Sequence, residues 1–266
     1  MKIKIMMNNE TVRTLLISLI SSGYCYISLI NIIPILKRFA VAIPNKRSLH
    51  KSSTPTGAGI VFSIIGSIAT LFTSNFLPLI CLPISIMGLI DDISSLPIKR
   101  RLLLQTLTTF LLLIFSGTSN TLFLSFNIFF VIGIMIFLIF CGVAMINFIN
   151  FADGIDGLVG GCFVVYLATY SFLYEMSMWP FVGLLMVFLV FNWQPAKLFM
   201  GDAGSTYLGA IMVCSIFKCE SLNSAISLIL IGVPLLGDTC FCVLRRIKDK
   251  QKVFEPHRLH LFQRLI

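Results

Sequence analysis

Apolar residues in this chain come in long runs separated by short polar punctuation, and the runs are too long for the half-buried helices of a soluble domain. A helix needs about 20 apolar residues to cross a bilayer, somewhat fewer when short or broken. On that criterion nine runs stand out, at about residues 12–33, 57–74, 76–90, 102–117, 127–147, 157–174, 179–192, 204–217 and 223–243. Pro78 and Pro83 are expected to kink the third of them, because proline removes a donor and clashes with the preceding turn. The pattern predicts an all-α, polytopic membrane protein of about nine transmembrane helices, with residues 1–266 forming one domain. The first run is too long for the apolar region of a signal peptide and lacks a small-residue cleavage site, so it is read as a retained span.

Composition agrees. Hydrophobic residues make up 57 % and charged residues 12 %, and the mean hydropathy is +0.96, where a soluble domain carries roughly 25 % charge. The net charge of +9 would suggest nucleic acid in a soluble protein. Here the cations lie between apolar runs, where they set orientation and attract anionic lipid or substrate. No nucleic-acid signature is present, and the eight cysteines have no C-x-x-C pair, so they read as small apolar side chains.

Alternating the nine spans under the positive-inside rule puts 16 of the 20 Lys and Arg on one, cytoplasmic, side. Lys2, Lys4, Arg13 and Lys218 fall on the other. The same alternation brings every carboxylate cluster to the cytoplasmic face. Five of only 11 acids, Asp91, Asp92, Asp153, Asp156 and Asp202, stand at the edges of apolar runs. Acids at membrane depth are costly and mark functional sites by default.

Each cluster has a chemical reading and a plain one. Asp91 and Asp92 are a general base with a charge partner, or a shared metal- or phosphate-handling pair; the alternative is a solvated helix end. Asn147, Asn150, Asp153 and Asp156 recur every three residues, which on a helix brings them toward one face; the alternative is a polar loop. Asp202 lies in a loop leading into a helix, a suitable place for a hard Mg²⁺ ion that bridges substrate phosphates. The basic stretch from Arg245 onward, with His257, Arg258 and His260, offers cations and imidazoles to an anion, or is a topology signal alone.

Read in order, six strings carry a family resemblance: Pro44-Asn45-Lys46-Arg47-Ser48-Leu49-His50, Thr54-Pro55-Thr56-Gly57-Ala58-Gly59, Gly88-Leu89-Ile90-Asp91-Asp92, Asn150-Phe151-Ala152-Asp153-Gly154-Ile155-Asp156-Gly157, Pro195-Ala196-Lys197-Leu198-Phe199-Met200-Gly201-Asp202-Ala203-Gly204-Ser205 and His257-Arg258-Leu259-His260. Together they resemble the polyprenyl-phosphate N-acetylhexosamine-1-phosphate transferases (glycosyltransferase family 4), and within them the bacterial branch that starts O-antigen and related surface glycans. The peptidoglycan and dolichol branches look more distant. Two departures are Ala58, where a Gly-Gly pair is usual, and Thr56, where the surface-glycan branch often has Arg and the peptidoglycan branch Thr. The chain ends at Ile266, where the family usually continues into at least one more span, so the expectation is a domain lacking the final span or spans.

The resemblance implies a multi-pass enzyme of the cytoplasmic membrane, its active site facing the cytoplasm. Undecaprenyl phosphate would attack a UDP-N-acetylamino sugar, giving a polyprenyl-diphosphate sugar and UMP, with Mg²⁺ required and Mn²⁺ as a substitute. By the same resemblance Asp156 and Asp202 match metal positions, and Asp91, Asp92 and Asp153 match catalytic acids. Phe199 matches an aromatic that stacks on uracil, and Arg47, Asn150, Asn192, Lys197, His257, Arg258 and His260 bind substrate. Direct attack and a covalent aspartyl intermediate both remain open, and a homodimer is an assembly the reading allows. The competing classes are a secondary transporter with intramembrane carboxylates, a CDP-alcohol phosphotransferase, which would show Ala-Arg soon after its Asp-Gly, and an inactive, truncated transferase.

Overall fold

The structure, a computed structural model, describes residues 9–42, 53–118 and 127–249. Each sequence-predicted apolar run is helical there. The helices are α1 (Asn9–Phe39), α2 (Gly59–Phe72), α3 (Leu77–Ile80), α4 (Leu82–Ile93), α5 (Ile98–Phe115), α6 (Ile128–Ala152), α7 (Leu158–Leu173), α8 (Trp179–Asn192), α9 (Gly201–Phe217) and α10 (Leu222–Lys248). The expected third span is broken in two at Cys81, with a proline starting each half. Proline is tolerated in a first helical turn, where its missing N–H has no partner to lose. One small departure from an all-helical reading is an antiparallel ladder, β1 (Val41–Ala42) on β2 (Thr54–Pro55).

Helix length sorts by position. The stretches Asn9–Phe39, Ile128–Ala152 and Leu222–Arg246 are long and apolar enough to cross a membrane, and they turn large apolar side chains outward, among them Leu19, Ile20, Phe129, Phe140 and Phe241. The 14 residues of α2 or α8 reach only about 21 Å, against a hydrocarbon core of roughly 30 Å. Short helices are tolerated where protein surrounds them, because only lipid-exposed backbone must satisfy its own polar groups. The clearest case is α9, buried at every residue from Ala203 to Ser215 and packed against α2, α4, α5, α6 and α10.

Glycines permit that central crossing. A Cβ on Gly59 would fall 2.1 Å from the Cα of Gly204, and one on Gly88 would fall 2.5 Å from the Ala203 nitrogen. Three helices, α2, α4 and α9, therefore meet backbone to backbone at one end of the bundle. The opposite end is tied differently. There Glu175 accepts hydrogen bonds from Tyr170 (3.0 Å), Asn75 (3.1 Å) and Ser177 (2.6 Å), and pairs with Lys218.

Candidate active site

The segments 40–42, 53–58, 91–101, 150–158 and 192–201 all lie at the glycine-packed end. Backbone bonds lace them: Thr56 N–H donates to Ala40 O (3.0 Å), Phe199 N–H to Pro55 O (2.9 Å), Ala58 N–H to Phe199 O (3.1 Å) and Gly59 N–H to Met200 O (3.0 Å). The loop before α2 is thereby fixed to the loop before α9.

Asp91 and Asp92 occupy the last turn of α4, where the helix dipole disfavours negative charge. Their partners offset this in different ways. Asp92 turns toward the N-terminus of α9, accepting the N–H of Asp202 on Oδ1 (3.0 Å) and the N–H of Ala203 on Oδ2 (3.2 Å). It supplies the cap that α9 lacks from its own residues. Gly201, at φ +67°, makes room: a Cβ there would sit 2.3 Å from Asp92 Oδ2 and 2.6 Å from Thr56 Oγ1. Asp91 instead accepts the Leu96 N–H and pairs with Arg101 (2.7 Å).

Arg101 is the hub. Besides Asp91, its guanidinium reaches Asp202 (3.2 Å) and donates to Asn150 Oδ1 (3.4 Å). Asn150 donates in turn to Asp202 Oδ1 (2.8 Å) and to the Ser205 hydroxyl (2.9 Å). Four helices, α4, α5, α6 and α9, thus share one network. The side chains of Arg101 and Asp202 are 22 % and 30 % exposed, enough to be reached from outside the bundle.

Asp153 follows α6, with Asp202, Asp92 and Asp156 as its charged neighbours. Burial, then repulsion from those three carboxylates, pushes its carboxyl up to about 8. Asp156 accepts the Ala196 N–H on Oδ2 (2.9 Å), which binds its turn to the 192–200 loop. Asn192, buried, fixes the same turn by accepting the Gly157 N–H (3.0 Å) and donating to Leu198 O (2.9 Å). Lys197 is exposed and Phe199 half-buried in this loop. Arg47, His257, Arg258 and His260 lie outside the described residues.

The residues fit a divalent cation held by few protein ligands. Among the described residues no group of three or more His, Cys, Asp or Glu is arranged to hold a metal unaided. Asp91 and Asp202 nevertheless converge on one cationic group, the Arg101 guanidinium, with hard oxygen donors. Mg²⁺ suits such a site, because it commonly takes one or two carboxylates and completes its shell with water and substrate phosphate.

Sequence reasoning missed Arg101, which counted only as a topology charge, and Ser205. The signal that could have found Arg101 is its spacing from Gln105, a long polar pair at i and i+4 on one face of α5.

A family model described as glycosyl transferase family 4 matches residues 75–220, just over half of the chain and the part that carries Asp91, Arg101, Asn150, Asp153 and Asp202. The chain belongs to this family. Relatives in it include a probable undecaprenyl-phosphate N-acetylglucosaminyl 1-phosphate transferase of Bacillus subtilis (strain 168), 28 % identical over 88 % of this chain and 73 % of the relative. A phospho-N-acetylmuramoyl-pentapeptide-transferase of Lactobacillus johnsonii is 32 % identical over 79 % of this chain and 76 % of its own length. The corresponding transferase of Staphylococcus epidermidis is 29 % identical over 86 % and 84 %. These relatives are named for two different transferred groups, an N-acetylglucosaminyl 1-phosphate and a phospho-N-acetylmuramoyl-pentapeptide.

Proposed function

We propose that the chain transfers an N-acetylamino-sugar 1-phosphate from a UDP-sugar to undecaprenyl phosphate at the cytoplasmic face of the cell membrane. An oxygen of the lipid phosphate attacks the β-phosphorus of the UDP-sugar. The bond from that phosphorus to the bridging oxygen breaks, and UMP leaves with the electron pair. The product is undecaprenyl-diphosphate sugar, and the step would open a surface polysaccharide such as O-antigen or a related glycan. The observation that carries the reading is the meeting of Asp91, Asp202, Asn150 and Arg101 from four helices at one end of an apolar bundle. A lipid phosphate and a soluble nucleotide can both reach that level.

Catalysis of this kind is mostly positioning and charge neutralisation. Asp202, and Asp156 as the second metal position that the resemblance implies, would hold Mg²⁺, which would supply positive charge to the diphosphate. Arg101 would add a second cation to the transferring phosphates, and Asp91, Asp92 and Asp153 would orient them. Asn192 and Asn150 would frame the nucleotide, with Phe199 beneath its base. A transporter would place its acids near the bilayer midplane between repeated halves, and here they gather at one end.

The test is UMP release by membranes containing the chain, with undecaprenyl phosphate, Mg²⁺ and a panel including UDP-N-acetylglucosamine and UDP-N-acetylmuramoyl-pentapeptide. Release with the first and not the second supports a surface-glycan role. Release with the pentapeptide donor alone would move the chain to peptidoglycan synthesis, and none with any donor would remove the reaction.

A further inference from the structure

One turn beneath the Arg101 hub lies a second polar rung that the reaction does not obviously need. Gln105, on α5, is fully buried, and its Oε1 accepts a hydrogen bond from Asn147 Nδ2 of α6 at 2.7 Å. Asn147 donates also to Val143 O of its own helix at 2.8 Å, which fixes the orientation of its amide. The Gln105 Nε2 and the hydroxyl of Thr109, one turn further along α5, have no hydrogen-bond partner among the described residues. Close by, the two helices touch: a Cβ on Gly142 would fall 2.6 Å from Thr109 Cγ2.

A buried amide with a spare donor is a liability in an apolar bundle, where leucine or methionine would fill the same space without stranding a polar group. Its position supplies a reason. Arg101 and Gln105 are four apart on α5, and Asn147 and Asn150 are three apart on α6, so each pair lies along one helix face. The Gln105–Asn147 bond is therefore the rung next to the Arg101–Asn150 contact, and the same two helices make both. Apolar packing alone is non-directional and would let α6 roll against α5. A roll of α6 carries Asn150 away from Asp202, and with it the group that holds Asp202 Oδ1 at 2.8 Å.

We propose that Gln105 is a positioning residue: through Asn147 it fixes the rotation of α6 on α5 so that Asn150 and Arg101 meet Asp202 together. The inference rests on the transferase reading given above. It predicts an effect on turnover more than on substrate binding, because misplacement by a fraction of an ångström weakens the transition state first.

The experiment measures UMP release, Mg²⁺-dependent and at saturating lipid phosphate, for Gln105→Met, Gln105→Leu, Asn147→Leu and the double variant Gln105→Met/Asn147→Leu, with a thermal melt of each purified protein. Each single variant should lose about tenfold in kcat with KM for the nucleotide sugar within about twofold. The double variant should be no slower than either single one, since one bond cannot be lost twice. Melting points should stay level or rise in the Gln105 variants, where the stranded amide is removed, and fall in Asn147→Leu, which leaves the buried Gln105 amide without its partner. Wild-type kcat in Gln105→Met, losses that multiply in the double variant, or a rate that falls only in step with the melting point in both Gln105 variants would each overturn the proposal. Absence of UMP release by the wild type counts against the reaction itself, whereas an active wild type with an unchanged Gln105→Met counts against Gln105 alone.

Discussion

Asp92, at the C-terminal end of α4, accepts the backbone N–H of Asp202 at 3.0 Å. The two residues thereby join the end of one helix to the start of another. A carboxylate that would be unfavourable at the C-terminus of α4 is stabilised by the amides of α9. Adjacent Asp91 has a different task, since its partner is the Arg101 guanidinium. The pair is one motif in the sequence and two roles in the structure.

Asp92→Ala should therefore cost stability as well as rate, while Asp91→Asn should cost rate with little change in stability. Loss of an N-terminal cap typically costs ~1 kcal/mol, up to about 2. Thermal melts of the two purified variants, alongside UMP release, check this. Equal melting points for both would remove the capping role.

Asp202→Asn keeps the size and the contact with Asn150 but removes the charge a hard cation needs. Turnover should fall by about 10²-fold or more, with membrane insertion unchanged. Titration of Mg²⁺ is the measurement. A near-normal rate with an unchanged Mg²⁺ requirement would assign the ligand elsewhere.

The raised carboxyl of Asp153 makes a pH prediction with a definite sign. Its folded value is about 8 against an ordinary 3.8, so over that interval the folded protein holds a proton that the unfolded chain has lost. Stability from this group is complete below about 3.8 and is lost as pH rises toward and through about 8. In Mg²⁺-free detergent solution the melting point should fall between pH 6 and pH 9, and Asp153→Asn should reduce that slope, leaving the share due to Asp92, which burial raises to about 7. An undiminished slope in the variant would place the titrating group elsewhere.

The fold places Lys99 and Lys197 at the site end of the bundle and Lys218 at the end held by Glu175. Single cysteines at these positions, in a background cleared of native cysteines, should be labelled by an impermeant reagent from one side for residues 99 and 197 and from the other for residue 218. Labelling of 99 and 197 from opposite sides would dismantle the shared site.

The apolar runs could be read without a structure because a bilayer imposes a length on any helix exposed to it, and the acids could be read because charge is rare and costly there. What the sequence left open was where the helices end. The apolar run ending near residue 147 continues as helix to Ala152, which sets Asn147 and Asn150 on α6 and leaves Asp153 to follow it. The apolar run beginning near 204 starts as helix at Gly201, which presents the Asp202 and Ala203 amides to Asp92. The roles of Arg101 and Gln105 are likewise tertiary. Each lies on α5 and acts on residues 10 to 101 positions away in sequence, so no local spacing encodes the partner. Residue type and apolar periodicity determined that acids would gather at the ends of membrane helices. Only the close packing of α2, α4 and α9 through their glycines decided which carboxylate meets a cation and which meets a helix terminus, because that choice depends on distances of a few ångströms between segments the chain brings together only on folding.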